Sequence, residues 1–420
     1  MTDFISLTGK IVSYAAMAAF AALLVWYLGR YFTEAFGRNI MGKAPCSRER
    51  APIAKVLTAV LAAFVLSRLL IYLGGAFMAR QNGELANYFY NPAWYWTRWD
   101  AHHYLGLIEN WYVSEGDPRY HIVFFPLYPA IGRVIHLATG LSPEAAAYLV
   151  SNVFFFICGI IMFRIAEMSQ GARGGMRAML LFMFSPLTLF CSVPYTESTF
   201  ILTTLAAVYL ARRGKLFWAV VMGALSANAR MCGMATAIPI FYEMLRSSRQ
   251  TGARRIVHST LKVLPVSLGL AAYIGLNWQV TGDPFRFLQY QSEHWSQNFG
   301  SLANTIRYTF ANAFDFHVNS YRLGVWIPQL IAIILVIVLL FLVLRRAHPG
   351  DAGYALVYYY ASVAPTWLLS GPRYLTAMYA AYPMLAMITR RRWIFVVLFI
   401  IMAALCAVAG AMYSVMGCIL

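Results

Sequence analysis

Long apolar runs separated by short polar stretches make up most of this chain. A helix needs roughly 20 apolar residues to cross about 30 Å of hydrocarbon, and runs of about that length recur along the sequence. The pattern predicts an all-α, polytopic membrane protein of about 11 to 13 membrane segments, folded as a single domain over residues 1–420. The segments are predicted at 11–29, 56–79, 121–138, 143–166, 178–194, 199–211, 216–227, 231–244, 256–280, 323–344, 352–370, 373–389 and 393–415.

Three of these segments are not expected to cross the membrane fully. The run at 121–138 is interrupted by FFPLYP, and we expect a helix that is partly inserted on the outer side. The runs 216–227 and 231–244 are both short and are joined through Arg230. They predict a broken hairpin whose tip lies at membrane depth, where irregular backbone is tolerated only if it lines a cavity.

The composition supports a membrane protein, and in such a protein the high positive net charge has a different meaning. Of the residues, 60% are hydrophobic and 12% are charged, and the formal net charge is +17. Such a charge would suggest nucleic acid in a soluble protein, but here the basic residues form short clusters between apolar runs, as is typical of cytoplasmic loops. We therefore expect the lipid bilayer as a partner and no nucleic acid. The clusters lie at 43–55, 173–177, 212–215, 246–255, 345–346 and 390–392.

The basic clusters also predict which loops face outside. If every cluster is cytoplasmic, an even number of crossings must separate neighbouring clusters. The segments 80–120 and 281–322 then become the first and second extracytoplasmic loops, and the first is predicted to be catalytic. The compact chain and short loops favour a multi-pass protein of the bacterial plasma membrane whose active site faces outside.

The first external loop carries YNPAWYWTRWDAHHY at 90–104, where one carboxylate, Asp100, stands among aromatic rings. Rings alone are also typical of a membrane interface, but an interface has no need of a carboxylate. A carboxylate among rings can act as a general base on a hydroxyl group while sugar faces stack on the rings. We therefore predict Asp100 as the catalytic residue, with Arg98, Trp99 and Tyr104 in the substrate pocket.

Two histidines follow Asp100 closely. His102 and His103 have no further histidine or carboxylate nearby at a spacing that suits a metal, and six scattered cysteines give no zinc pattern. We predict both histidines as contacts to the donor phosphate or sugar, with a structural role and metal ligation as alternatives. No metal or other cofactor is expected.

Charged residues at membrane depth cost at least about 2.5 kcal/mol each on insertion, so each one is a functional candidate. Glu197, Arg230, Arg373 and Arg68 meet this description. Arg230 and Arg373 are predicted to bind a phosphate whose lipid tail stays in the bilayer, because guanidinium groups bind phosphate oxygens in pairs. Glu197 is expected to pair with Arg230 or His102, and Arg68 with a nearby carboxylate.

At these residues the chain resembles the PIG-V (GPI mannosyltransferase II) family and its bacterial relatives, within the GT-C superfamily of membrane glycosyltransferases. The similar motifs are RWDAHHY at 98–104, FFPLYP at 124–129, YTES at 195–198, SANARMCG at 226–233, TGDPFRFLQYQSEHW at 281–295 and GPRYLTAMYAAYP at 371–383. Their order and spacing extend the likeness over most of the chain. The motifs complete the predicted substrate pocket with Tyr128, Tyr195, Glu197, Gln291 and Tyr374.

The resemblance implies a GT-C-like fold with extracytoplasmic catalytic loops and a polyprenyl-phosphate-sugar-dependent glycosyltransferase. Mannose would move from a polyprenyl phosphate donor to a hydroxyl of a lipid-linked or cell-surface glycan acceptor. Asp100 would be the general base of a single inverting displacement. A phosphate departs without a general acid and is stabilised by cationic residues, so the reaction needs no metal.

A transporter or flippase of polyprenyl-linked lipids or sugars is the alternative. Arginines at membrane depth, prolines and broken helices also build translocation sites. A weaker alternative is a non-catalytic subunit of another glycosyltransferase. Replacing Asp100 with Asn separates catalysis from the other functions, because only a catalyst would lose sugar transfer.

Overall fold

The computed structural model describes residues 2–36, 50–315 and 317–415, and this part of the chain is helical without any β-strand. The α-helices are α1 Thr2–Phe36, α2 Ile53–Gln81, α3 Leu85–Tyr90, α4 Pro92–Trp96, α5 Asp100–Asn110, α6 Leu127–Thr139, α7 Pro143–Met183, α8 Glu197–Arg212, α9 Leu216–Ala229, α10 Ala237–Ser247, α11 Gly252–Val263, α12 Leu268–Thr281, α13 Arg286–Trp295, α14 Leu302–Asp315, α15 Asn319–Tyr321, α16 Ile327–Val343, α17 Pro349–Val363, α18 Gly371–Thr376, α19 Ala381–Ile388 and α20 Arg392–Ser414. Short 3₁₀-helices lie at Asp117–Val123, Pro186–Cys191, Met231–Thr236 and Leu264–Ser267, and a π-helical turn lies at Arg322–Trp326.

Six helical stretches within the described ranges are long and apolar enough to cross a membrane. The all-α, multi-pass prediction is therefore confirmed. The prediction of 11 to 13 membrane segments was too high for full-length spans, even when the bent pair of Asp117–Val123 and α6 is counted as a seventh. The six stretches are Ile5–Thr33, Ile53–Gln81, Pro143–Met183, Gly252–Thr281, Asn319–Val343 and Arg392–Ser414.

The remaining apolar runs form helices that are too short for a full crossing. α8 has 16 residues and α9 has 14, and at about 1.5 Å per residue neither reaches across about 30 Å of hydrocarbon. Most residues of α8 are buried, so its apolar sequence packs inside the protein. The predicted span 373–389 is also interrupted, because it forms α18 and α19 with a turn between them.

Several predicted breaks in the helices are present. After α9, Arg230 is extended with φ −158° and ψ 148°, and a 3₁₀ turn follows, which confirms the break in the predicted hairpin. The predicted irregularity at 121–138 is also present, since the turn Asp117–Val123 and α6 meet at 118°. α7 bends at Gly171, where φ is 73° and ψ is 179°, between the predicted spans 143–166 and 178–194.

The packing brings together the basic clusters that the sequence predicted on one side. α2 packs along α20, and α8 packs between α7 and α9. The backbone N–H of Ala51 donates to Glu167 Oε1 at 2.7 Å, and Arg212 Nη2 donates to Asp351 Oδ1 at 2.5 Å. These contacts join chain segments that flank the predicted cytoplasmic clusters. Which end of the bundle faces the cytoplasm stays a prediction.

Candidate active site

Asp100 begins α5. The residue before it, Trp99, adopts a backbone conformation that is unusual for a non-glycine residue. Trp99 has φ 47° and ψ −122°, and non-glycine residues held in such sparsely populated regions cost about 1 to 3 kcal/mol each. The Trp99 ring packs edge-on against Tyr413, with the ring centroids 5.0 Å apart. Tertiary contact therefore holds the turn in place. The Asp100 side chain is 26% exposed, so a substrate can reach it.

Asp100 is linked to three more charged side chains, of which Arg373 contacts it directly. Arg373 Nη1 donates to Asp100 Oδ2 at 3.1 Å, and Arg373 Nε lies 2.9 Å from Glu197 Oε1 as an ion pair. The same Glu197 oxygen accepts a hydrogen bond from Arg230 Nη2. Two carboxylates and two guanidinium groups thus form a neutral, largely buried group, which we name the charge cluster (Asp100, Glu197, Arg230 and Arg373).

Three members of the charge cluster lie at a helix end or break, and the fourth lies in a helix of only six residues. Glu197 is the first residue of α8, Arg230 is the extended residue after α9, and Arg373 lies in the short α18. Irregular backbone at membrane depth is tolerated where it is buried in protein or lines a cavity. The breaks bring four distant parts of the sequence into one site.

Aromatic rings surround both guanidinium groups. Arg373 lies 5.2, 5.1 and 5.2 Å from the ring centroids of Phe190, Tyr195 and Tyr374. Arg230 lies 5.4 Å from the centroid of Tyr374. The face of an aromatic ring attracts a cation within about 6 Å. The structure therefore brings Tyr195 and Tyr374, two predicted pocket residues, against the charge cluster.

The charge cluster keeps polar atoms that no described residue engages. Each guanidinium group has five N–H donors, and the contacts above use only Nη2 of Arg230 and Nη1 and Nε of Arg373. Glu197 Oε2 is buried and accepts no hydrogen bond from the described part of the chain. The cluster therefore keeps N–H donors on its arginines and an acceptor oxygen on Glu197 that the described residues leave unused.

Tyr195 connects the charge cluster to the turn before α5 through its contacts with Arg98 and Tyr104. Tyr195 Oη donates to the backbone oxygen of Arg98 at 3.0 Å, and the rings of Tyr104 and Tyr195 are 6.1 Å apart. The Arg98 side chain donates to the backbone oxygen of Ser414 at 3.2 Å. These contacts fix the backbone from which Asp100 projects.

The structure does not join three predicted site residues to the charge cluster by a hydrogen bond or an ion pair within the described ranges. Tyr128 is fully buried and donates to the backbone oxygen of Ala147 at 3.1 Å. Gln291 Nε2 donates to Gln297 Oε1 at 2.7 Å. His102 is exposed. Their contacts with a substrate stay predictions.

His103, the other predicted phosphate contact, is half-buried beside α5. Its Nδ1 lies 3.0 Å from His121 Nε2, and its ring stacks on Phe124 with centroids 5.1 Å apart. Burial lowers the pKa of His103, and the negative charge of Asp100 opposes this shift only in part. The ring is therefore neutral at pH 7, so it can offer a phosphate a hydrogen bond but no positive charge.

Among the residues that the structure describes, Arg68 pairs with no carboxylate, so for these residues that prediction was wrong. Its Nη1 donates to the backbone oxygen of Thr188 at 2.9 Å and to the Ser192 hydroxyl, and its guanidinium lies 4.4 Å from the Phe155 ring centroid. The turn at Pro186–Cys191 presents a backbone carbonyl that accepts a hydrogen bond from the arginine. Arg68 therefore serves the packing of α2.

Some residues of the site were missed from the sequence. Phe190 lies in an apolar run with nothing to distinguish it from core residues. His121 stands three residues before FFPLYP as a polar residue in an apolar stretch, which is a signal that could have been used. Within residues 2–36, 50–315 and 317–415, no three His, Cys, Asp or Glu side chains form a group that could hold a metal ion. A metal-independent reaction stays a prediction.

A family model described as Mannosyltransferase (PIG-V) matches residues 55–269, a range that includes Asp100, Glu197 and Arg230. The GPI alpha-1,6-mannosyltransferase 2 of Mus musculus is 26% identical over 206 residues, which cover 47% of this chain and 40% of the mouse protein. The GPI mannosyltransferase pigv-1 of Caenorhabditis elegans is 26% identical over 139 residues, covering 29% of this chain and 20% of the worm protein. The matched regions thus span less than half the length of these relatives.

Two solved structures show a distant similarity. ArnT from Cupriavidus metallidurans bound to undecaprenyl phosphate has a TM-score of 0.47 and 14% identity, with 80% of this chain and 60% of that chain covered. An oligosaccharyltransferase from Archaeoglobus fulgidus has a TM-score of 0.44 and 12% identity, with 84% of this chain and 53% of that chain covered.

Proposed function

We propose that this chain, which belongs to the mannosyltransferase (PIG-V) family, transfers mannose from a polyprenyl phosphate donor to a hydroxyl group of a glycolipid or glycan acceptor on the outer side of the membrane. One observation carries the proposal. A partly exposed carboxylate, Asp100, lies 3.1 Å from Arg373, which belongs to a cluster with a second arginine and a second carboxylate. The arrangement supports a proton acceptor beside an anion site.

Asp100 acts as the general base in this proposal. The acceptor hydroxyl oxygen attacks C1 of the donor mannose and gives its proton to the Asp100 carboxylate. The bond between C1 and the phosphate oxygen breaks, and its electron pair leaves with the polyprenyl phosphate. The displacement occurs in one step, so the configuration at C1 is inverted. Positioned bases of this kind contribute about 10²- to 10⁴-fold to a rate.

Arg230 and Arg373 stabilise the phosphate as it leaves. Their N–H groups that remain free of protein contacts can donate to phosphate oxygens, and they do so more strongly as negative charge develops on those oxygens. Glu197 keeps the two buried guanidinium groups together before the donor binds. Its unpaired Oε2 is suited to accept a hydrogen bond from a sugar hydroxyl.

In this proposal the donor lies in the outer leaflet, with its phosphate at the edge of the hydrocarbon. A polyprenyl chain remains in the hydrocarbon, while the phosphate and sugar stand at the interface. The short helices and breaks that carry the charge cluster provide polar side chains at that depth. The choice of mannose rests on the family.

The test replaces Asp100 with Asn and uses Asp117→Asn as the matched control. Both acids lie in the first external loop, but Asp117 is exposed outside the charge cluster. Membranes containing each variant receive polyprenyl phosphate carrying radiolabelled mannose, and label is counted in extracted glycolipid and glycan. D100N is expected to lose about 10²- to 10⁴-fold of transfer while it still binds the donor, and D117N to match the wild type. Full transfer by D100N would remove Asp100 from the mechanism.

A further inference from the structure

Among the described residues, His121 contacts the site through one side-chain hydrogen bond, to His103. It lies in the 3₁₀ turn Asp117–Val123, and its Nε2 is 3.0 Å from His103 Nδ1. The two rings meet edge to face, with centroids 4.8 Å apart and planes at 64°. Gly106 makes this approach possible, because a Cβ at that position would lie 3.3 Å from His121 Cε1. The glycine of α5 thus leaves a space that the His121 ring occupies.

His103 is the member of this pair that can meet a substrate. It lies one helical turn after Asp100 on α5, so the two side chains share one face of the helix. Its Nδ1 is engaged by His121, and no group in the described ranges hydrogen-bonds to its Nε2. Phe124 covers one face of the ring, and Trp295 meets it edge-on at 6.1 Å between centroids. The ring therefore has one orientation and one free nitrogen.

We propose that His121 is a positioning residue, which holds His103 by this hydrogen bond so that His103 Nε2 contacts the donor phosphate beside Asp100. The inference rests on the proposed function, since it assigns a role at the same site. A neutral histidine can donate a hydrogen bond to the phosphate without adding a second cationic partner to Asp100, which already pairs with Arg373.

The charge state of His103 depends on what surrounds it. Burial lowers its pKa, Asp100 raises it, and His102 and His294 lower it. His103 is therefore neutral above that lowered pKa and gains a proton only in more acidic solution. Removal of the His121 ring would admit water, weaken the burial and move the pKa of His103 back toward about 6.5. His103 would then be protonated in part of the pH range in which the enzyme should work.

The test measures mannose transfer against pH for the wild type and for His121→Ala. We expect kcat at neutral pH to fall about 10- to 100-fold, as for other small misplacements of catalytic contacts, and the acidic limb of the profile to move to higher pH. His258→Ala removes an exposed histidine of α11, and this control should match the wild type in both respects. A merely structural role of His121 would lower the yield of folded protein and leave the acidic limb where it is.

Gly106→Ala supplies a second variant that should not weaken the fold. Alanine favours a helix more than glycine does, yet its methyl group must displace His121 by a few tenths of an ångström. We expect a smaller fall in kcat and a smaller shift of the acidic limb in the same direction. Wild-type profiles in both H121A and G106A would overturn the inference.

A spectroscopic measurement separates this inference from the proposed function. Protein labelled with ¹⁵N-histidine is titrated with polyprenyl phosphate that carries no sugar, and the His103 ring signals are followed by NMR. A signal that shifts in the wild type but not in H121A supports the positioning role even if mannose is not the transferred sugar. An equal shift in both proteins, or none in either, would refute it. Failure of mannose transfer with intact phosphate binding would count against the proposed function alone.

Discussion

Glu197 holds the electrostatic balance of the site. Its Oε1 atom contacts both Arg230 and Arg373, and its side chain is only 3% exposed. The sequence marked these three residues as charges at membrane depth and allowed Arg230 as the partner of Glu197. It gave no sign that Arg373 also pairs with Glu197, because Arg373 lies far along the chain and no periodicity connects the two positions. The sequence therefore predicted which charged residues form the site, but not that one carboxylate pairs with both arginines.

Glu197→Gln should destabilise the protein by about 3 to 5 kcal/mol, since it leaves the buried Arg230 without a carboxylate and Arg373 with Asp100 alone. Thermal unfolding in detergent measures the effect. Glu167→Gln is the matched control, because Glu167 is also buried but its partner Arg164 is single and 15% exposed. E167Q should therefore unfold closer to the wild type. Equal losses in the two variants would show that Glu197 has no special role in balancing the arginines.

At the scale of elements, hydrophobic length predicted the long spans well and the short arm α9 correctly, but it wrongly made the buried α8 a full crossing. α2 and α20 have long apolar faces toward lipid, and both were predicted within a few residues. α8 and α9 have sequences that are nearly as apolar, but they pack against other helices. Apolarity alone cannot distinguish lipid from protein core as the surrounding medium. The breaks were easier to predict, since charge and proline within an apolar run conflict with a continuous span.

The crossing of α12 over α9 depends on a close backbone approach. A Cβ at Gly269 would lie 1.8 Å from the Ala224 carbonyl oxygen, whereas a Cβ at Gly275 of the same helix would meet nothing within 4 Å. Gly269→Ala should therefore force the helices apart and lower the thermal unfolding temperature, at a cost of about 1 to 3 kcal/mol. Gly275→Ala should leave stability unchanged or raise it slightly. A G269A variant as stable as G275A would contradict this packing.

At the scale of the whole molecule, the basic clusters predicted which chain segments lie together at one end of the helix bundle. Segments beside clusters far apart in sequence make direct contacts, including Ala51 with Glu167 and Arg212 with Asp351. This could be predicted because the distribution of charge between loops reflects the two sides of a membrane. The contacts themselves could not, since side-chain pairing across a bundle depends on packing that no local pattern contains.

Cysteine labelling in intact cells checks the orientation of the bundle. In a variant whose native cysteines are replaced by serine, Ser142→Cys should react with a membrane-impermeant maleimide, because the loop between α6 and α7 is predicted outside. Gln250→Cys is exposed between α10 and α11 and should react only after the membrane is permeabilised. The reverse result would place the charge cluster on the cytoplasmic side.

The ion pair between Asp100 and Arg373 has a consequence for how the protein is made. Its partners are 273 residues apart in sequence, whereas Glu197 and Arg230 are only 33 residues apart. During synthesis the Glu197 pair can therefore form early, while Asp100 emerges long before its arginine is translated. The proposed base acquires its partner only when α18 joins the bundle. Catalytic competence is thus tied to late assembly, and a nascent chain that stalls before α18 carries the acid without a working site.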